Sequence, residues 1–236
     1  LVQTLVSHVG MIASYFAGQH ALLAYDLKNE PRFYHIALMR YPGGNPLYTS
    51  GLEQRYPPQR DPAAALAWAR GDGVAPASLS DAEAIQYANI SEIMDAFLSA
   101  AASWISGRGY RVSVVDYLTA PDSAPWQPFL TVLNAALAAW LGPQVSAVRQ
   151  ADPGRLVTVG YSDPLLAALP ANRALDIHAI NRYPRDATPR QLDFQMIIAR
   201  GLRDTFAGRP VLLTEFGYAT SEHEPAQAAI YESAAW

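Results

Sequence analysis

Three short apolar runs in the second half of the chain limit its fold more than anything else in it. They are "RLVTVGY" (Arg155 to Tyr161), "LDIHAINRYP" (Leu175 to Pro184) and "RPVLLTEFGY" (Arg209 to Tyr218). Each is short and rich in Val, Ile and Leu, with turn-forming residues nearby, which reads as a strand buried on both faces. The last two are separated by a helix-patterned stretch, Gln191 to about Ala207, far too long for a hairpin. Strands joined through helices pair in parallel. An earlier unit repeats the alternation. Val2, Leu5, Val6, Val9, Ile12 and Phe16 mark one helix face, Gly18 is a stop, and Leu22 to Leu27 reads as a strand. The class expected is α/β, with a parallel sheet and helices outside it.

Between these units the pattern changes. Pro42 to Pro62 is rich in Pro, Gly and Tyr and reads as a long loop. Asp81 to about Ser106 reads as a helix, "YRVSVVDYL" as a short strand, and Trp126 to Arg149 as one or two helices interrupted near Gly142 and Pro143. Residues 32–124 are too many for an ordinary strand-to-helix connection, so they are expected to be an insertion after the first strand of this chain. Tyr34, Tyr41, Tyr48, Tyr56 and Trp68 within it suit either stacking walls for a ligand or a small core of the insertion.

Composition narrows the chemistry. There is no cysteine among the 236 residues, which removes thiol catalysis, thiolate metal sites and disulfides. The formal net charge is -4 and no basic stripe is visible, so nucleic acid is not an expected partner. No apolar run reads as a transmembrane segment. The five histidines are scattered, and "SEHEP" around His223 lacks helical zinc spacing, so no metal is expected. The chain opens on "LVQTLVSHVG", neither a Met nor a signal-peptide pattern, and reads as an excerpt of a longer protein.

Two of the apolar runs end in glutamate. Glu30 closes "YDLKNEP" and Glu215 lies in "LLTEFGY". In a parallel barrel, residues at the C-terminal ends of the strands gather on one rim, where chemistry sits. Two glutamates 185 positions apart could then share one cleft. Paired carboxylates suit glycoside hydrolysis: one must carry a proton for the leaving oxygen, and the other must be ionised.

On these residues the chain resembles the glycoside hydrolases of clan A, the (β/α)8 barrels that include the family 5 cellulases and mannanases. "DLKNEP" is similar to the end of that clan's strand 4, and "LTEFGY" to the end of its strand 7. "VRQADPGRLVTVGY" resembles the passage into strand 5, and "LDIHAINRYP" resembles strand 6. The resemblance implies a TIM barrel of which this chain spans about strands 4 to 7, with strands 1 to 3 and 8 outside it. It implies a retaining hydrolase of β-linked saccharides with Glu30 as acid/base and Glu215 as nucleophile, the carboxyl groups roughly 5 to 5.5 Å apart. Asn29 would bond the substrate 2-hydroxyl and Tyr183 would orient Glu215. Asn181 and Tyr161 would line the cleft. The partner implied is a carbohydrate, no cofactor is implied, and a secreted or extracytoplasmic location is favoured. One departure stands out: where the clan often has His-x-Tyr on strand 6, this chain has Asn181-Arg182-Tyr183. His178 has the opposite strand parity and is expected to point towards the helices. Two rivals remain: a non-catalytic carbohydrate-binding barrel, and a metal-dependent barrel hydrolase, which would need more His and Asp at strand ends.

Overall fold

The computed structural model describes residues 2–31, 66–67, 70, 80–81, 90–183, 189–217 and 228. Within them the order is α1 (Val2–Phe16), β1 (Ala24–Asn29), α2 (Ile90–Gly107), α3 (Val114–Thr119), α4 (Gln127–Ala151), β2 (Leu156–Tyr161), α5 (Pro164–Ala168), β3 (His178–Arg182), α6 (Pro189–Thr205) and β4 (Val211–Phe216). Short 3-10 turns at Pro121–Trp126 and Pro170–Ala174 complete it. The protein is α/β, and its four strands form one parallel sheet in the order β1-β2-β3-β4. Among the described residues the strands neighbour one another in chain order with no reversal. Crossovers between parallel strands are right-handed, so an unreversed order sends every helix to the same face.

The packing agrees with that. Val157, Val159 and Tyr161 of β2 and Ile180 of β3 are buried in one cluster with Leu133, Leu137 and Leu141 of α4 and Ile198 and Leu202 of α6. Tyr25 and Leu27 of β1 pack against the same cluster. Burying each such leucine contributes about 1.5 to 3 kcal/mol. Helix α4 runs unbroken through Pro143, which removes the interruption expected there. Its segment Phe129–Ala151 is long and apolar enough to cross a membrane by length and composition. Leu133, Leu137, Leu141 and Val148 along it are fully buried, however, so its apolar stripe is that of a core helix.

The expected strand "YRVSVVDYL" is instead a turn and helix α3. Ser113 is the reason. Its hydroxyl accepts from the Val115 N–H, while Asp116 accepts from the Ser113 backbone N–H at 2.7 Å. This capping box outweighs the β-branched residues that follow. Phe97, Ala101, Val115 and Tyr117 belong to the same core cluster as the sheet and α4. Tyr34, Tyr41, Tyr48, Tyr56 and Trp68 lie outside the described residues, as does the long loop from Pro42 to Pro62.

Arg155, just before β2, fastens the end of the sheet away from the glutamates. It donates to the Leu22 carbonyl, to the Gln19 carbonyl at 3.0 Å and to Asp152 Oδ2 at 3.1 Å. Tyr25 donates to Asp152 as well, at 3.1 Å. Burial pushes the Asp152 carboxyl up, but Arg155 and Tyr25 outweigh it, and the net position is below the ordinary aspartate range.

His178 follows its parity. It is 3% exposed and its ring stacks on Phe206 beyond α6, 3.9 Å between centroids. Burial, helped by the nearby Arg209 guanidinium, pushes its imidazole down to about 4. The unfolded chain therefore takes up this proton near pH 6.5, while the folded chain resists until about pH 4. The contribution is present above pH 6.5 and is lost as pH falls towards 4, an effect on the order of 3 kcal/mol. Urea titrations of wild type and His178→Phe across this window should show the variant's stability falling less steeply, by close to one proton. Equal slopes would show that His178 is not held neutral.

Candidate active site

The face of the sheet turned away from the helices is polar. Alternate positions along the strands bring Asp26, Gly160 and Asn181 there, with Asn29 and Glu30 at the end of β1 and Thr214 and Glu215 near the end of β4. A strand has period two, so the core-facing set Tyr25, Val157, Val159 and Ile180 leaves Asp26, Gly160 and Asn181 on the opposite side, and the register shifts after Asp26 in β1 and before Glu215 in β4 bring Asn29 level with Gly160 and Glu215 level with Asn181.

Side chains of β1 and β3 converge on Gly160 of β2. A methyl at its Cα would lie 3.0 Å from Asp26 Oδ2, 3.3 Å from Asn29 Oδ1 and 3.6 Å from Asn181 Oδ1. The missing side chain is thus the space into which three polar groups converge. The Gly160 N–H donates to Asp26 Oδ1 at 3.0 Å, and Asp26 also accepts from the Lys28 N–H at 3.2 Å. With two backbone donors, Asp26 acts as a structural carboxylate. The Gly160 carbonyl accepts from the Glu30 N–H at 2.7 Å. Gly160→Ala should displace Asp26 and Asn29 and lower stability by about 1 to 3 kcal/mol, as overpacking does. A shift of the urea midpoint measures it. An unchanged midpoint would mean that the three side chains have room to move.

Glu30 sits in a strained conformation. Its φ is 47°, in the left-handed region that non-glycine residues rarely occupy. The register of β1 against β2 also shifts between Asp26 and Asn29. The chain leaves its ladder there and turns into Pro31, which has no N–H to continue it. Strain of this kind costs about 1 to 3 kcal/mol and collects at functional positions.

Asn181 joins the two ends of the site. Its Nδ2 donates to Asn29 Oδ1 at 2.9 Å and to Glu30 Oε1 at 3.2 Å. Its Oδ1 accepts from the Thr214 hydroxyl at 2.6 Å. Thr214 directly precedes Glu215, and the register of β3 against β4 shifts so that Asn181 pairs with Glu215. The Tyr183 hydroxyl donates to Glu215 Oε2. Tyr183 is 53% exposed and Glu215 half-buried, so both lie within reach of a ligand. Asn29 is exposed and Glu30 half-buried.

Two of the expected cleft residues are buried. Tyr161 is 1% exposed, lies in the helix-side core with Val157 and Val159, and donates its hydroxyl to Asn172 Oδ1 at 2.7 Å. Burial pushes that hydroxyl well above the ordinary tyrosine range. It cannot line the cleft, because its strand parity sends it to the other face. Asn181 is on the right face but is also 1% exposed, with both its donors and its carbonyl engaged. Its side chain is taken up by Asn29, Glu30 and Thr214. Thr214 and Gly160 join the site beside the expected residues. A glycine inside a strand is a legible sign of close approach, whereas nothing in the sequence marks Thr214.

No group of His, Asp and Glu suited to holding a metal occurs among the described residues. No family model, curated protein or solved structure matches this chain.

Proposed function

We propose that this chain is the strand 4 to strand 7 part of a (β/α)8 barrel and acts as a retaining glycoside hydrolase on a β-linked saccharide. The observation that carries the reading is the shared rim. Glu30 follows β1 and Glu215 lies near the end of β4, both at C-terminal strand ends, and the Asn181 amide connects them by touching Glu30 on one side and Thr214 on the other. The barrel is supported by the strand order. A sheet with all its helices on one face leaves the other face uncovered, and curling it into a barrel encloses that face. Leu212 and Leu213 on edge strand β4, 40% and 47% exposed, are where a further strand would pack.

In this mechanism Glu215 attacks the anomeric carbon as Glu30 protonates the departing oxygen. Glu30 then takes a proton from water, whose oxygen displaces Glu215. Tyr183, by donating to Glu215 Oε2, leaves Oε1 as the attacking oxygen. Asn29 meets the 2-hydroxyl of the sugar. The reaction needs no cofactor.

Trapping tests this directly. The full chain is incubated with 2,4-dinitrophenyl 2-deoxy-2-fluoro-β-glycosides of glucose, mannose, galactose and xylose, and its mass is measured. A gain of one fluoroglycosyl group on the peptide bearing Glu215 is the expected result. Sugar binding with neither label nor turnover would instead indicate a carbohydrate-binding barrel that has lost catalysis.

A further inference from the structure

The amide of Asn181 turns its NH2 to Glu30 Oε1 and its carbonyl to the Thr214 hydroxyl. The second N–H of that amide meets Asn29 Oδ1. We propose that Thr214 and Asn181 form a positioning relay that sets the polarity of the site, so that Asn29 presents its NH2, and Glu30 its Oε2, to the sugar. The relay rests on the glycosidase reading given above.

The chemistry follows from which atoms are taken. With Oδ1 turned to Asn181, Asn29 directs its NH2 away from that amide and meets the 2-hydroxyl as a donor to its oxygen. With Oε1 of Glu30 engaged by the same amide, Oε2 carries the proton that passes to the leaving oxygen and later receives one from water. Thr214 thus acts at one remove, through Asn181, on both groups. Its place directly before Glu215 brings the relay and the nucleophile together on one strand.

The test compares substrates that do and do not report on Asn29. Whichever dinitrophenyl β-glycoside the wild-type chain hydrolyses is paired with its 2-deoxy counterpart. Thr214→Val keeps the shape and removes the donor. It should lower kcat/KM about 10-fold on the 2-hydroxy substrate, and less than about 2-fold on the 2-deoxy one, where the contact is already missing. Thr214→Ser, which restores the hydroxyl, should return the 2-hydroxy substrate to nearly wild-type rates. If Thr214→Val does not fold, Asn181→Asp serves instead: it keeps the acceptor for Thr214 and removes both N–H donors, and should compress the same substrate ratio. Equal losses on the two substrates, or no loss, would overturn the relay while leaving the glycosidase reading intact. A wild-type chain no faster than Glu215→Ala on every glycoside would overturn the reading itself, and the relay's purpose with it.

Discussion

Glu215→Ala is expected to abolish turnover of natural and activated β-glycosides alike. Without the carboxylate no glycosyl-enzyme forms, and even a leaving group as good as dinitrophenolate has nothing to displace it. The loss should be on the order of 10^4-fold or more, the scale seen when one member of a covalent catalytic unit is removed. Stability should change little. Glu215 is half-buried, and its one described side-chain bond is to the exposed Tyr183. Azide can enter the space left by the side chain and attack the anomeric carbon directly, giving a glycosyl azide of inverted configuration. The kinetics and the product's configuration, read by NMR, together check the role. A retained azide from this variant would exchange the assignments of Glu215 and Glu30.

Glu30→Ala should behave differently, because it removes a group that moves protons and does not touch carbon. General acid and base groups typically contribute about 10^2- to 10^4-fold. That loss should appear in full on phenyl or alkyl glycosides, whose oxygen must be protonated to leave. With dinitrophenyl glycosides the first step should survive and give a burst of dinitrophenolate. The glycosyl-enzyme then accumulates because no base activates water. Azide needs no base and should restore turnover, yielding the azide of retained configuration. The backbone adds a second readout. Glu30 has a φ of 47°, so Glu30→Gly should lose activity as Glu30→Ala does while relieving the left-handed strain. Its melting temperature is expected to be at least that of Glu30→Ala. If neither variant loses activity in folded protein, the glutamate after Asn29 belongs to a strained turn with no catalytic part.

The parts of the fold legible in the sequence are those governed by local pattern. Helix α1 and its stop at Gly18, the strands at Leu156–Tyr161 and Val211–Phe216, and the placement of Glu30 and Glu215 near strand ends all follow from apolar periodicity and chain punctuation. The α/β class follows from their alternation. Helix α3 is not legible in this way, because its β-branched residues argue for a strand, while the capping box at Ser113 acts through only two side chains.

Beyond that, tertiary structure decided what each strand residue does. In "LVTVGY" the apolar run shows that both faces are covered but not which face holds which residue. Only packing against α4 and α6 sends Tyr161 to the core and leaves Gly160 facing the polar side. The same holds for Asn181. Its sequence position suggests a substrate contact, but its burial and its bonds to Asn29, Glu30 and Thr214 make it a support for other groups. Those partners lie 152, 151 and 33 residues away. A strand's own sequence fixes the alternation of its side chains; the phase, and the partners each one meets, come from neighbours that the chain brings together only on folding.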